Sequence, residues 1–135
     1  MRVTNPNITK LKPNEIFVFG SNLAGIHGAG AAKLAYEKFG ALWGFGEGMK
    51  DQSYAFPTKD KHLETLDLDD IQTSADSLLY TINLYPEYDF LITEVGCGMA
   101  GYNPYQIAPL FRDFVHLPNI TLPFRFWQVL LQEKI

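Results

Sequence analysis

Twice along this chain an apolar run that reads as a strand passes through a glycine-rich loop into a helix, first in "IFVFGSNLAGIHGAGAAKLAYEKFG" and again in "DFLITEVGCGMAGYNPYQIAPLF". Strands alternating with helices predict an α/β protein, here a three-layer α/β/α arrangement with a mixed central sheet and helices covering both faces. In such folds ligands bind beyond the carboxyl ends of the strands, where both loops fall. The first loop, residues 20–30, holds four glycines and one asparagine. Glycine in a connector costs conformational entropy, so a cluster signals that backbone must come close to something, either a packing partner or a ligand.

The remaining elements follow from periodicity. Residues 16–19 read as a buried strand, and a helix over about 30–39 places Ala31, Leu34, Ala35 and Phe39 on one face, with Gly40 as its stop. Glycines at 44, 46 and 48 deny regular structure until a strand forms over 53–56, which Pro57 ends or places at a sheet edge. The clearest helix runs over about 67–84, with Leu68, Ile71, Ala75, Leu78, Leu79 and Ile82 recurring and Asp67, Asp69 and Asp70 loading its first turn. "YDFLITEVG" is a second strand. After its loop, Asn103 caps and Pro104 opens a helix whose buried face is Ile107, Leu110, Phe111 and Phe114. "NITL" reads as a last strand and "PFRFWQVLLQ" as a short helix or irregular tail.

At 135 residues the chain fits a single domain, 1–135, able to bury a core without staples. No apolar run approaches the roughly 20 residues of a membrane span, and "MRVTNPNITKLKPNE" has no apolar segment behind its positive charge. The expectation is a soluble, cytoplasmic protein with no membrane partner. One cysteine and three histidines without C-x-x-C or H-E-x-x-H spacing argue against a structural zinc site. A formal charge of −4 opposes extended nucleic-acid binding, but not a small anion held by backbone groups.

Each glycine loop feeds a helix amino terminus, where unpaired N–H groups and the helix dipole favour an anion. Two such sites side by side suit a diphosphate. The plainer reading is that glycines merely permit tight strand-to-helix connections. Neither loop matches the dinucleotide fingerprint G-x-G-x-x-G or the P-loop G-x-x-x-x-G-K-[ST].

"NITKLKPNEIFVFGSNLAGIHGAGAAKLAYEKFG" resembles the opening of a macro domain, where a D-I-T-like turn precedes a strand, an N-A-A-N segment, a glycine-rich stretch and a helix. "EVGCGMAGYNPYQIAPLF" resembles the second hallmark loop of that family. Its nearest form is the I-G-C-G-L-x-x-L-x-W-x-x-V of the DNA ADP-ribosyl glycohydrolase antitoxins and their eukaryotic relatives. "YAFPTKDKH" resembles the N-F-P-T-K segment of that branch. The matches follow the family's order up to about Phe114, and none covers the tail.

The resemblance implies a macro-like fold that binds ADP-ribose or an ADP-ribosylated substrate, with no cofactor or metal. The diphosphate would lie between Gly28, Ala29, Gly30 and Ala31 on one side and Gly96, Cys97, Gly98, Met99, Ala100 and Gly101 on the other. Ile8, in the D-I-T-like turn, would line the site. Asn22 would contact the distal ribose, where an amide can donate and accept at once; a turn residue is the alternative. In the branch resembled, the lysine of F-P-T-K attacks the anomeric carbon of the distal ribose, which assigns Lys59 as nucleophile. Attack needs an uncharged amine, favoured by burial or by Lys61 and opposed by Asp60; a solvated lysine after a strand is the alternative.

Two departures bear on the ligand. Ala100 stands where some relatives carry an acid, and Asn7 where many macro domains have an aspartate toward adenine. Cys97, between glycines at a helix amino terminus, suggests a rival thiol hydrolase with His27 or His62 as base. Among Trp43, Phe45, Tyr54, Tyr102 and Phe126, Tyr102 is the preferred residue to stack on a base, since it directly follows the second loop. Beside hydrolysis of an ADP-ribosyl linkage stand a non-catalytic binding module and a phage or bacterial structural protein that has lost the ligand.

Overall fold

The computed structural model describes residues 1–132 and is an α/β fold built on a mixed five-stranded sheet. In chain order the elements are β1 (Glu15–Asn22), α1 (Gly30–Lys38), β2 (Gly48–Lys50), β3 (Ser53–Lys59), α2 (Leu68–Leu84), β4 (Asp89–Ile92), α3 (Pro104–Ile107), a 3-10 stretch (Ala108–Phe114), β5 (Ile120–Thr121) and α4 (Phe124–Gln132). The strand order is β2-β3-β1-β4-β5. β1 pairs in parallel with β3 and β4, β4 in parallel with β5, and β2 forms an antiparallel hairpin with β3. Among the described residues no helix is long and apolar enough to cross a membrane.

β1 shows why the sheet is central. Ile16 and Val18 belong to a large core cluster shared with α2, the 3-10 stretch and α4, while Phe17 and Phe19 belong to a second cluster with Ala35 and Phe39 at α1. Successive side chains of a strand point to opposite faces, so a strand buried on both reads as a continuous apolar run. β3 and β4 lie on opposite sides of β1, so the chain reverses its winding there. The carboxyl ends of these three strands therefore flank a natural ligand crevice.

The long helix is α2, with Asp67 as N-cap, its carboxylate accepting from the Asp70 amide. Ile71, Ala75, Leu78 and Ile82 are buried. The first-turn acids thus have a structural role at a helix end.

Five elements depart from the sequence expectation. β1 does not end at Phe19 but runs on to Asn22, taking in the start of the first glycine loop, and β4 stops at Ile92, short of the end of "YDFLITEVG". β3 does not stop at Phe56 but runs through Pro57 to Lys59. β2 reaches only to Ala55 and the returning chain pairs again only at Lys59, with Thr65, so β3 has a free edge at Phe56 and Pro57, where a sheet tolerates a proline. β2 itself is a strand in the glycine-rich stretch expected to lack one, joined to β3 by a tight turn with Asp51 at φ 52°. The helix after Asn103 is a single turn that passes into the 3-10 stretch. Pro109 has no N–H to donate and its ring crowds the preceding turn, and the backbone leaves helical geometry at Phe111. Ile107, Phe111 and Phe114 are buried as expected, with Ala108 joining them and Leu110 half-buried.

The amino-terminal segment is tied to the far side of the sheet. Thr4 N–H donates to the Leu122 carbonyl, Leu122 N–H to the Arg2 carbonyl, and the Trp127 indole N–H to the same Arg2 carbonyl. The Arg2 guanidinium forms a two-pronged ion pair with Asp89 at 2.6 and 2.8 Å. Thr4 Oγ1 also donates to the Ile92 carbonyl at 2.7 Å, which lays this segment beside the carboxyl end of β4.

Candidate functional site

The two glycine loops meet. Gly28, Ala29, Gly30 and Ala31 share a hollow of about 610 Å³ with Gly96, Cys97, Gly98, Met99 and Ala100, and Asn22, Thr58, Lys59 and Glu94 are also part of its wall. Volumes of this order accommodate small-molecule ligands. A second hollow of about 580 Å³ adjoins it, lined mainly by apolar groups: Val3, Pro6, Ile8, Phe17, Leu34, Pro123 and Phe124, with Thr4, Asn5 and Arg125. The two share Gly30, Ala31, Thr93 and Glu94.

The glycines divide by cause. Gly25 has φ 71° and a Cβ there would sit 2.3 Å from the backbone of Gly44; Gly96 has φ 80° and its Cβ would meet Ile107. Those two answer to packing. At Gly28 and Gly98 the φ is ordinary and a Cβ would meet nothing within 4 Å, so neither steric crowding nor backbone geometry demands glycine. Both line the hollow.

The loops differ in how they present amides. No side chain caps α1, whose N-cap is Ala29, so the amides of its first turn stay open beside the hollow. α3, by contrast, is closed by a capping box in which Asn103 Oδ1 accepts from Gln106 N–H and the Gln106 side chain accepts from Asn103 N–H. A helix amino terminus without a side-chain cap is therefore found at the first loop and not at the second. What the second loop offers is its own backbone. Cys97 and Gly101 amides donate to Glu94 and Gly98 carbonyls, whereas those of Gly98, Met99 and Ala100 have no partner among the described residues.

Asn22 and Lys59 end β1 and β3 and face each other in register, with Thr58 as the extra residue of a bulge. The Asn22 side chain folds onto its own loop, Nδ2 donating to the Ile26 carbonyl at 2.9 Å and Oδ1 accepting from Ile26 N–H at 3.0 Å. It is a loop clip first, with one amide hydrogen and one lone pair left over. The Lys59 side chain is half-buried and has no ion-pair partner among the described residues. Asp60, the neighbour expected to oppose an uncharged amine, turns away: its carboxylate accepts from the backbone of His62 and Glu64, and the Glu64 bond first, then that of His62, lowers its pKa. Thr65 then donates to the Ala100 carbonyl, joining this turn to the second glycine loop.

Several assigned residues lie elsewhere. Gly101 and Tyr102 line neither hollow. The Tyr102 hydroxyl donates to the Leu66 carbonyl at 2.7 Å and its ring packs on the large core, so it is not a free stacking surface. Tyr54 and Phe126 are buried in that core, and Trp43 stacks edge-on against Tyr36 away from both hollows. The exposed aromatic at the apolar hollow is Phe124. Ile8 lines that hollow with Asn5, while Asn7 does not; its amide donates to Asn5 Oδ1.

Cys97 lines the hollow, but burial and then Glu94 push its thiol up to about 11, so it stays protonated near neutrality. Neither histidine is there to act as base. His27 is buried with Nε2 against the Leu42 and Phe45 carbonyls, and His62 is exposed on the turn after β3.

Glu94 was not legible as a site residue, because it reads as the end of "YDFLITEVG". Its oxygens accept from Arg125 Nε at 2.7 Å and Nη2 at 2.6 Å, and this pairing holds its carboxyl below the usual range. Comparison with protein-family models, with curated proteins and with solved structures gave no match.

Proposed function

We propose that the chain is a macro-like protein that binds ADP-ribose or a related nucleotide diphosphate and hydrolyses an ADP-ribosyl linkage through Lys59. One observation carries this reading: two glycine loops with open amides wall a hollow that continues into an apolar one. Amides suit a diphosphate, and the apolar hollow with exposed Phe124 suits a base. Lys59, with no ion-pair partner among the described residues, lines the first hollow from β3, farther in the sheet order from the apolar hollow than β4 is.

In this chemistry Lys59 Nζ attacks the anomeric carbon of the distal ribose. A C–N bond forms, the bond to the acceptor breaks, and the acceptor departs with the electron pair and a proton; water then displaces the lysine. Incubation with ADP-ribosylated DNA and ADP-ribosylated protein tests it. Release by the unaltered chain and none by Lys59→Ala supports the lysine route, and equal release by both excludes it.

A second reading, a binding module without turnover, is favoured by Ala100. That residue puts no acid in the second loop, and the carboxylate that does line the hollow, Glu94, is engaged by Arg125. Binding of ADP-ribose with no release from either substrate selects it.

A further inference from the structure

The seam between the two hollows is Gly30, Ala31, Thr93 and Glu94. Gly30 and Ala31 present backbone and a methyl group, and Thr93 spends its hydroxyl on the Val18 carbonyl at 2.7 Å. Glu94 is therefore the charged acceptor at the seam. Arg125 grips it through both oxygens, which fixes the plane of the carboxylate and uses two of its roughly four lone-pair sites. Two remain to accept hydrogen bonds.

A nucleotide diphosphate places its units in the order base, ribose, diphosphate. With the base in the apolar hollow and the diphosphate among the loop amides, the unit that crosses the seam is the ribose carrying the base. Resting on the nucleotide reading above, we propose that Glu94, oriented by Arg125, accepts hydrogen bonds from the vicinal hydroxyls of that ribose. The site is then selective for nucleoside diphosphates with free 2′- and 3′-hydroxyls and rejects 2′-phosphorylated ones.

The chemistry is complementary on both counts. An ionised carboxylate only accepts, and a pair of hydroxyls can donate twice. A 2′-phosphate brings like charge against Glu94, and Arg125, whose Nε–Nη2 edge is held on that carboxylate, has only its outer Nη1 side left to offer. Glu94→Gln keeps the side-chain size, removes the like charge and leaves Arg125 a single oxygen to hold. The same substitution should therefore weaken the preference for hydroxyls and admit the 2′-phosphate.

Calorimetric titration of the unaltered protein with ADP-ribose, its 2′-deoxy analogue at the base-bearing ribose, and its 2′-phosphorylated form decides the matter. The expected result is binding of both altered ligands weaker by about tenfold or more, the scale of a lost hydrogen bond to a charged group. In Glu94→Gln, checked for folding by its thermal melt, the gap to the 2′-phosphate closes or reverses. Equal binding of all three ligands by the unaltered protein overturns this inference and leaves the ADP-ribose reading intact. No binding of ADP-ribose overturns both.

Discussion

Asn22 and Lys59 stand opposite each other at the carboxyl ends of neighbouring parallel strands, brought into register by the bulge at Thr58. Were the pairing regular, Thr58 would stand opposite Asn22 and Lys59 would alternate to the other face of β3. The bulge also lets the Leu23 amide donate to the Lys59 carbonyl at 3.0 Å, so the first loop departs directly from the lysine's backbone. Lys59→Ala should leave stability almost unchanged, since the side chain makes no ion pair among the described residues, while abolishing release of ADP-ribose. A urea titration beside the release assay separates the two effects.

Asn22→Ala removes both side-chain bonds to Ile26 and should cost about 1–2 kcal/mol of unfolding free energy. Asn22→Asp keeps the accepted bond and should lie between. Urea midpoints measure the series; an Ala variant as stable as the parent would show that the clip contributes nothing.

The glycines should separate by mechanism. Gly25→Ala combines a left-handed φ with a Cβ inside the Gly44 backbone and should destabilise by more than about 2 kcal/mol. Gly98→Leu should fold normally, because a Cβ there meets open space, yet lose ADP-ribose binding by filling the hollow. Thermal melts and a binding titration on both variants check the contrast, and retained affinity in Gly98→Leu would count against the second loop as a phosphate site.

Acid stability should depend on Glu94. Its folded-state pKa is lowered by Arg125, so its contribution is present above the ordinary carboxylate pKa and is lost as pH falls through the lowered value. Glu94→Gln should therefore flatten the acid limb of a stability profile while changing little in shape near neutrality. Urea midpoints recorded from neutral pH into the acid range would expose a limb that does not respond.

Cys97 should alkylate slowly. Its thiol, pushed up to about 11, is almost wholly protonated at pH 8, so iodoacetamide should modify the folded protein much more slowly than the urea-unfolded chain. Equal rates would mean that burial does not protect it.

Strand and helix order was legible because β1 and β4 are continuous apolar runs, buried on both faces, and α2 carries a strong helical period. The misread points are those where one residue's local chemistry depends on a distant neighbour. Pro57 is tolerated within β3 only because β2 stops opposite Ala55. Tyr102 follows the second loop in sequence, yet the Leu66 carbonyl draws its hydroxyl away from the hollow. Glu94 lines both hollows, and its partner Arg125 comes from α4, 31 positions away. Pro109, by contrast, is legible in the sequence as a helix breaker, but the helical spacing of Ile107, Leu110, Phe111 and Phe114 masks it.

The convergence of both loops on one ligand is tested most directly by following backbone amide chemical shifts during titration with ADP-ribose. The predicted result is that the amides of residues 28–32 and 98–100 shift together and saturate at the same ligand concentration. Movement confined to one loop, or no movement at millimolar ligand, would contradict it.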